Sequence, residues 1–277
     1  MRIKRYHEAP KSIFSQVQEL TDGDYALVHL FETDTEYFEM FKKALAYGRD
    51  VILDNSIFEL GESFDHDRYA YWINRLQPTW YIVPDVWKDS KKTIDMFFEF
   101  FEKHPRETLH GKVIGVAQGE TLEDVIESYQ AIEPYCDMVA FNFDFSSYAP
   151  VPKLGVPKRL LMSLGRLQML SDLHRLHVIN PNKPHHLLGT GVPQEVCWYP
   201  KSWEWVRSID TCHPVMEGMN WLEYEDGLPG TLHKTETKMC TRMDYHIGMI
   251  QWRTIKANIK KMESWNALRP EVQHDLR

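Results

Sequence analysis

The chain reads as an α/β protein of the TIM (β/α)8-barrel type. Two observations predict this: eight short β-rich runs alternate with longer amphipathic stretches, and a polar residue stands at the end of most of the runs. The length of 277 residues exceeds an ordinary domain of roughly 150 residues but suits one large barrel. A single domain over 1–277 is expected, with an N-terminal strand and helix in 1–23 and a C-terminal loop and helical extension in 223–277.

The strands are expected at Arg2 to Tyr6, Tyr25 to Leu30, Val51 to Leu53, Trp80 to Val83, Lys112 to Val116, Met138 to Phe141, His186 to Leu188 and Val206 to Ile209. Each is short and most are largely apolar, as buried parallel strands are, Arg2 to Tyr6 and Val206 to Ile209 being the more polar. Helical periodicity covers Phe14 to Leu20, Glu36 to Ala46, Asp67 to Leu76, Ser90 to Lys103, Leu122 to Ile132, Lys158 to Leu176 and Gln194 to Tyr199. A long last helix is expected from Asp244 to Trp265, with Ile247, Ile250, Ile255, Ile259 and Met262 as its apolar positions. Asp34, Asp89 and the Thr121/Asp124 pair supply N-capping oxygens for three of these starts. Two segments break the rhythm, Asn142 to Pro157 and Glu223 to Lys238, the latter with Gly227, Pro229 and Gly230. Long loops of a barrel usually serve its active face.

Composition narrows the function classes. A hydrophobic share of 43% with 26% charged residues is ordinary for a globular chain and excludes collagen-like, coiled-coil and disordered classes. No run approaches the ~18 apolar residues of a membrane helix, and Met1 to His7 leads into no apolar leader, so a soluble cytoplasmic protein without a membrane partner is expected. Cys136, Cys197, Cys212 and Cys240 form no CxxC pair, which argues against a disulfide framework or a local zinc knuckle. The net charge of −8 argues against a chain whose whole surface attracts polyanions.

The residues at the strand ends carry the chemistry. Asp54 succeeds Val51-Ile52-Leu53, Asp85 succeeds Ile82-Val83-Pro84, and Gln118 succeeds Gly115-Val116-Ala117. Asp144 closes Val139-Ala140-Phe141-Asn142-Phe143, and Asp210 ends Val206-Arg207-Ser208-Ile209. All strand C-termini of such a barrel converge on one mouth, so these groups would share one pocket. A single Asp after a strand is also an ordinary helix cap, as Asp89 is; the repetition, with Phe58, Phe141 and Phe143 nearby, points to a pocket for a planar heterocycle. His174 with His177 and the adjacent pair His185-His186 lack metal-ligand spacing, since neighbours on a strand point to opposite faces.

Five short motifs, Leu53-Asp54-Asn55-Ser56-Ile57-Phe58-Glu59, Val83-Pro84-Asp85, Gly115-Val116-Ala117-Gln118-Gly119, His186-Leu187-Leu188-Gly189-Thr190-Gly191 and Ser208-Ile209-Asp210-Thr211-Cys212-His213-Pro214, occur in order over residues 24 to 221. In this the chain resembles the tRNA-guanine transglycosylase superfamily, most of all the phage DpdA-type 7-deazaguanine DNA transglycosylases. The resemblance implies exchange of guanine in DNA for a 7-deazaguanine base of the preQ0 or preQ1 kind. Asp210 would be the nucleophile that forms a glycosyl ester, and Asp54 the proton-handling carboxyl. Asp85 and Gln118 would read the base, with Phe58 stacked on it and Gly119, Asn55 and Asp144 beside it. An oxocarbenium-like state is stabilised by a carboxylate beneath the sugar, and a departing base needs protonation, so two carboxyls suit that chemistry.

The chain departs from the tRNA enzymes in two places. Only Cys240, His233 and His246 lie where that family carries a zinc site, too few for four ligands, so neither zinc nor any other cofactor is expected. Ile57 also stands where the family has a small residue. Duplex DNA with a flipped-out guanine would need a basic track. Lys153, Lys158, Arg159, Arg166 and Arg175 form one candidate, and Arg242, Arg253, Lys256, Lys260 and Lys261 another, though Lys-rich helix faces are common. Tyr148 or Trp221 would supply the wedge. A tRNA-guanine transglycosylase, an N-glycosidase or deoxyribosyltransferase acting on small nucleosides, and a non-catalytic binding module remain alternatives, and a monomer is allowed.

Overall fold

The computed structural model describes residues 2–225 and 238–271. Its eight parallel strands close into a barrel in sequence order, β1 (Lys4–Tyr6), β2 (Gly23–Leu27), β3 (Asp50–Asp54), β4 (Trp80–Ile82), β5 (Lys112–Ala117), β6 (Met138–Phe141), β7 (His185–Leu187) and β8 (Val206–Asp210), with β8 pairing back onto β1. The α/β barrel expected from the alternating pattern is the fold found. Strands β2 to β6 are buried on nearly every residue because helices cover them outside and side chains fill the interior.

Around them lie α1 (Phe14–Gln18), α2 (Thr35–Ala46), α3 (Ile57–Leu60), α4 (His66–Leu76), α5 (Ser90–Lys103), α6 (Leu122–Ile132), α7 (Lys158–Arg175), α8 (His213–Met219) and α9 (Met249–Ala267). Three starts follow from capping: Asp34 accepts from Tyr37 N–H at 2.9 Å, Asp89 from Lys92 N–H at 3.0 Å, and Thr121 with Asp124 forms a reciprocal box. Elsewhere the elements depart from the pattern. Pro193–Cys197 is a 3-10 turn where Gln194 to Tyr199 was expected as a helix, because Pro193 heads a segment only five residues long. The last helix begins at Met249 instead of Asp244, since the Gln251 side chain turns back to accept from Gly248 N–H at 3.0 Å. Strand β2 stops at Leu27, and Val28–Glu32 coils into a 3-10 turn. Helices α3 and α8 are too short to show a period. Most of the long loop at Glu223 to Lys238, including Gly227, Pro229 and Gly230, lies outside the described residues.

The charged centre of the structure is outside the barrel proper. Arg166 on α7 and Glu195 in the 3-10 turn are both fully buried, with Nε donating to Oε1 at 2.6 Å. Arg166 also donates to the carbonyls of Leu188 and Gly189, each at 2.8 Å, and of Asn142 at 3.3 Å. Glu195 further accepts from Ser163 at 2.7 Å, Thr190 at 2.9 Å and the Tyr199 hydroxyl. Every polar atom of the pair is thereby met, which buried charge requires. Helix α7 lies so close that a Cβ on Gly165 would stand 1.8 Å from the Phe145 carbonyl oxygen, so only glycine fits.

Breaking this pair strands a buried carboxylate. Arg166→Met is expected to cost about 3–5 kcal/mol in urea unfolding, with part of the loss recovered when Glu195→Gln is added and the orphaned charge removed. Gly165→Ala, which forces backbone apart, should lower stability by about 3 kcal/mol or more.

Candidate active site

The C-terminal ends of the strands enclose a cavity of about 180 Å³. Asp54, Asp85, Gln118, Asn142, Gly189 and Asp210 line it from the ends of β3 to β8, together with Tyr25, Phe58, Trp87 and Phe143. Of the strand-end groups expected to share a mouth, Asp54, Asp85, Gln118 and Asp210 line it and Asp144 does not.

Asp54 is 8% exposed and accepts from the Tyr25 hydroxyl at 2.9 Å and from Ser56 N–H at 2.8 Å. Ser56 gives that N–H from the left-handed region, φ 61°, a strain for a residue with a Cβ that is common where a site is held in place. Burial pushes the Asp54 carboxyl well above its ordinary range, and the charge of Glu59 adds to this, against the opposing pull of Tyr25 and Ser56. Asp85, 2% exposed, accepts from Asn55 Nδ2 and Gln118 Nε2, each at 2.7 Å. Burial raises it to about 6 even so.

An amide chain fixes those donors. Gln118 Oε1 accepts from Asn142 Nδ2 at 2.8 Å and from Lys88 N–H at 3.1 Å, so its amino group must face Asp85. Lys88 also sits at positive φ, 58°, and its Nζ pairs with Asp144 at 3.1 Å. Burial acts to raise Asp144, but Ser146 and Lys88 outweigh it and hold the carboxyl below its usual value.

Asp210 Oδ1 accepts from Gly189 N–H at 3.0 Å and faces His186 Nε2 at 3.0 Å. The other ring nitrogen of His186 lies 2.7 Å from Ser208 Oγ. This contact depends on an irregularity: His185 pairs with Val206 and His186 with Ser208, so Arg207 is skipped and Ser208 comes opposite His186. His185 points the other way, onto Tyr129 and Trp205, as the strand alternation requires. On the far wall Phe58, Trp87 and Phe143 form an inclined trio with centroids 5.2–6.3 Å apart. Lys238 donates to the Phe58 and Glu59 carbonyls, each at 2.9 Å, and lies over the Phe58 ring.

Asp54, Asp85, Gln118, Phe58 and Asp210 therefore meet at the cavity, whereas Asn55 and Asp144 stand behind it as supports. Gly119 is not on the wall; a Cβ there would meet Asp124 at 2.6 Å, so it serves the approach to α6. Of the basic residues, Arg159 lines the cavity while Lys158, Arg253, Lys256 and Lys260 are exposed away from it. Arg166, expected on a basic surface track, is instead wholly buried with Glu195, and Arg175 is paired with Asp172 at 2.7 Å. The Tyr148 hydroxyl is likewise tied to Asp172 at 2.9 Å. His174 packs on Trp203 and Trp205. Sequence reasoning missed Tyr25, Trp87, His186 and Ser208. Period-two alternation back from Asp210 would have placed Ser208 inside the barrel, but nothing in the sequence announces the skipped residue that brings His186 to it.

Among the described residues no group of three or more His, Cys, Asp and Glu side chains is placed to hold a metal ion, and no helix is long and apolar enough to cross a membrane. His233 lies outside the described residues.

No family model matches the chain, and no curated protein does. Among solved structures it is similar to an enolase from alpha pretobacterium bal199 with bound Mg (12% identity, 83% of this chain and 57% of that one, TM-score 0.41). It is similar also to L-talarate dehydratase from Polaromonas sp. JS666 complexed with Mg and L-glucarate (9%, 79% and 52%, TM-score 0.41) and to methylaspartate ammonia lyase from Clostridium tetanomorphum (10%, 96% and 59%, TM-score 0.45). The chain spans a little over half the length of these proteins. At such values the likeness assigns no activity.

These findings correct the transglycosylase resemblance. The neighbours are an enolase, a dehydratase and an ammonia lyase, and no family model supports the motif reading. Guanine exchange in DNA, its tRNA and small-nucleoside glycosyl-transfer alternatives, the phage and DNA-modification setting, and DNA and a 7-deazaguanine base as partners are withdrawn with it. The physical reason lies in the fold: an eight-fold barrel repeats strand, tight turn and polar cap, so five short motifs can recur in order without common function.

The carboxyl environments make a pH prediction. Asp85 is raised from 3.8 to about 6, so the folded state holds its proton more tightly than the unfolded state does. Its contribution favours folding below about pH 4 and is lost as pH rises through 6, on the order of 3 kcal/mol in all. Urea unfolding between pH 4 and 7 should show that decline flattened in Asp85→Asn relative to the wild type.

Proposed function

We propose that the chain is an acid–base enzyme that takes a small planar nitrogen heterocycle into the barrel mouth. The observation that carries this reading is the meeting, in one cavity, of Asp54, whose carboxyl burial pushes well above its ordinary range, with Asp210 and the amide-buttressed Asp85. Asp85 offers a carboxylate edge to two adjacent N–H donors of the ligand. Gln118 Nε2, with one hydrogen on Asp85, keeps a second for a ring carbonyl. The inclined rings of Phe58, Trp87 and Phe143 supply an apolar wall for a flat molecule. Asp54 then serves as proton donor to the bound ring, and Asp210 as the carboxylate that accepts a proton or faces developing positive charge.

The test uses 2-aminopyrimidin-4-one, whose amino group and ring N–H form such an edge. Calorimetry should show binding that weakens roughly 10–100-fold in Asp85→Asn, the loss of charge-assisted hydrogen bonds. Affinity should also fall about tenfold per pH unit below 6, where Asp85 takes up its proton. Equal binding by wild type and Asp85→Asn would overturn the recognition. In mass-spectrometric assays of related free heterocycles, Asp54→Asn and Asp210→Asn should each abolish turnover while leaving binding within a few-fold; activity retained in both would overturn the acid–base assignment.

A further inference from the structure

Asp210 differs from the other carboxyls of the cavity in where its partners fall. Gly189 N–H and His186 Nε2 both contact the same oxygen, Oδ1, each at 3.0 Å. The second oxygen, Oδ2, is left to a bound molecule. A carboxylate only accepts hydrogen bonds, so the ring nitrogen facing it must carry a hydrogen. Ser208 Oγ, 2.7 Å from Nδ1, completes the chain because a hydroxyl can donate to an unprotonated nitrogen.

Two aromatic rings flank the imidazole. Tyr25 stacks on it at 6.3 Å between centroids and 13° between planes, and Tyr6 meets it edge-on at 6.1 Å. His186 and Ser208 are 0% and 2% exposed, so water does not compete for either nitrogen. The Tyr25 hydroxyl donates to Asp54, so one stacked pair of rings holds both carboxyls, Tyr25 the one and His186 the other.

We propose that His186 is a positioning residue, held by Asp210 as its Nε2–H tautomer with Ser208 donating to Nδ1, which pins Oδ1 of Asp210 and turns Oδ2 toward the ligand. The use made of Oδ2 rests on the acid–base reading above; the tautomer does not. A hydrogen on Nε2 and a lone pair on Nδ1 satisfy Asp210 and Ser208 together. The opposite tautomer would set a lone pair against a carboxylate oxygen, a repulsive contact in a buried site.

Long-range proton–nitrogen correlation spectra of the protein labelled with 15N-histidine decide the matter without any ligand. The His186 signals are identified by their disappearance in His186→Gln, or by their displacement in Ser208→Ala if that variant fails to fold. Near neutral pH the expected pattern is a protonated Nε2 and an unprotonated Nδ1. In Asp210→Leu, with the acceptor gone, the two nitrogen shifts should move toward each other as the tautomers mix. A wild-type ring protonated at Nδ1 alone, or a pattern unmoved by Asp210→Leu, overturns the proposal. Failure of 2-aminopyrimidin-4-one to bind would overturn the functional reading and leave this spectrum as it stands. For any heterocycle turned over, His186→Gln, which keeps an N–H in reach of Asp210, should retain more kcat than His186→Leu at similar KM; equal kcat in the two would also count against the positioning role.

Discussion

Arg166 and Glu195 bring opposite charges into a region without water, and the geometry of the mouth hangs on how they are satisfied there. The guanidinium gathers the carbonyls at Asn142, Leu188 and Gly189, the segments that leave β6 and β7. Gly189 presents its N–H to Asp210, and Asn142 presents its amide to Gln118. Two walls of the cavity are therefore set by one ion pair that never touches the cavity's centre. Such a pair adds little net stability compared with apolar packing, but it fixes loop positions that hydrophobic contact alone would leave adjustable.

Around that frame the carboxyls are differentiated by their neighbours. Asp54 lies under Tyr25 and near Glu59, where desolvation and like charge both favour the neutral acid. Asp85 meets two amides, which offset part of its burial. Asp144, of the same residue type and also little exposed, is drawn the other way by Lys88 and Ser146. Residues of one kind at equivalent strand ends thus acquire different protonation behaviour, a pattern that allows acid and base work in one pocket. The left-handed Ser56 and Lys88 each aim a backbone N–H at a site group, so local strain is placed where orientation matters.

The sequence by itself determined the barrel. Short β-rich runs of three to six residues alternating with amphipathic helices leave few other ways to bury both faces of parallel strands, and Asp34, Asp89 and Thr121 mark helix starts through bonds made within one turn. The gathering of Asp54, Asp85, Gln118 and Asp210 comes from the same regularity, since each ends a strand of one closed sheet. That regularity also misled: motifs at strand ends resembled one enzyme family although the barrel alone produces their order. Tertiary structure decided the rest. That Arg166 is an internal clamp and not a surface cation, that Trp87 joins Phe58 on the pocket wall, and that His186 reaches Ser208 across a skipped Arg207 all depend on contacts between residues 22 or more positions apart. Local propensity carries no record of such contacts, because their energy arises from burial and hydrogen bonding that exist only once the barrel has closed.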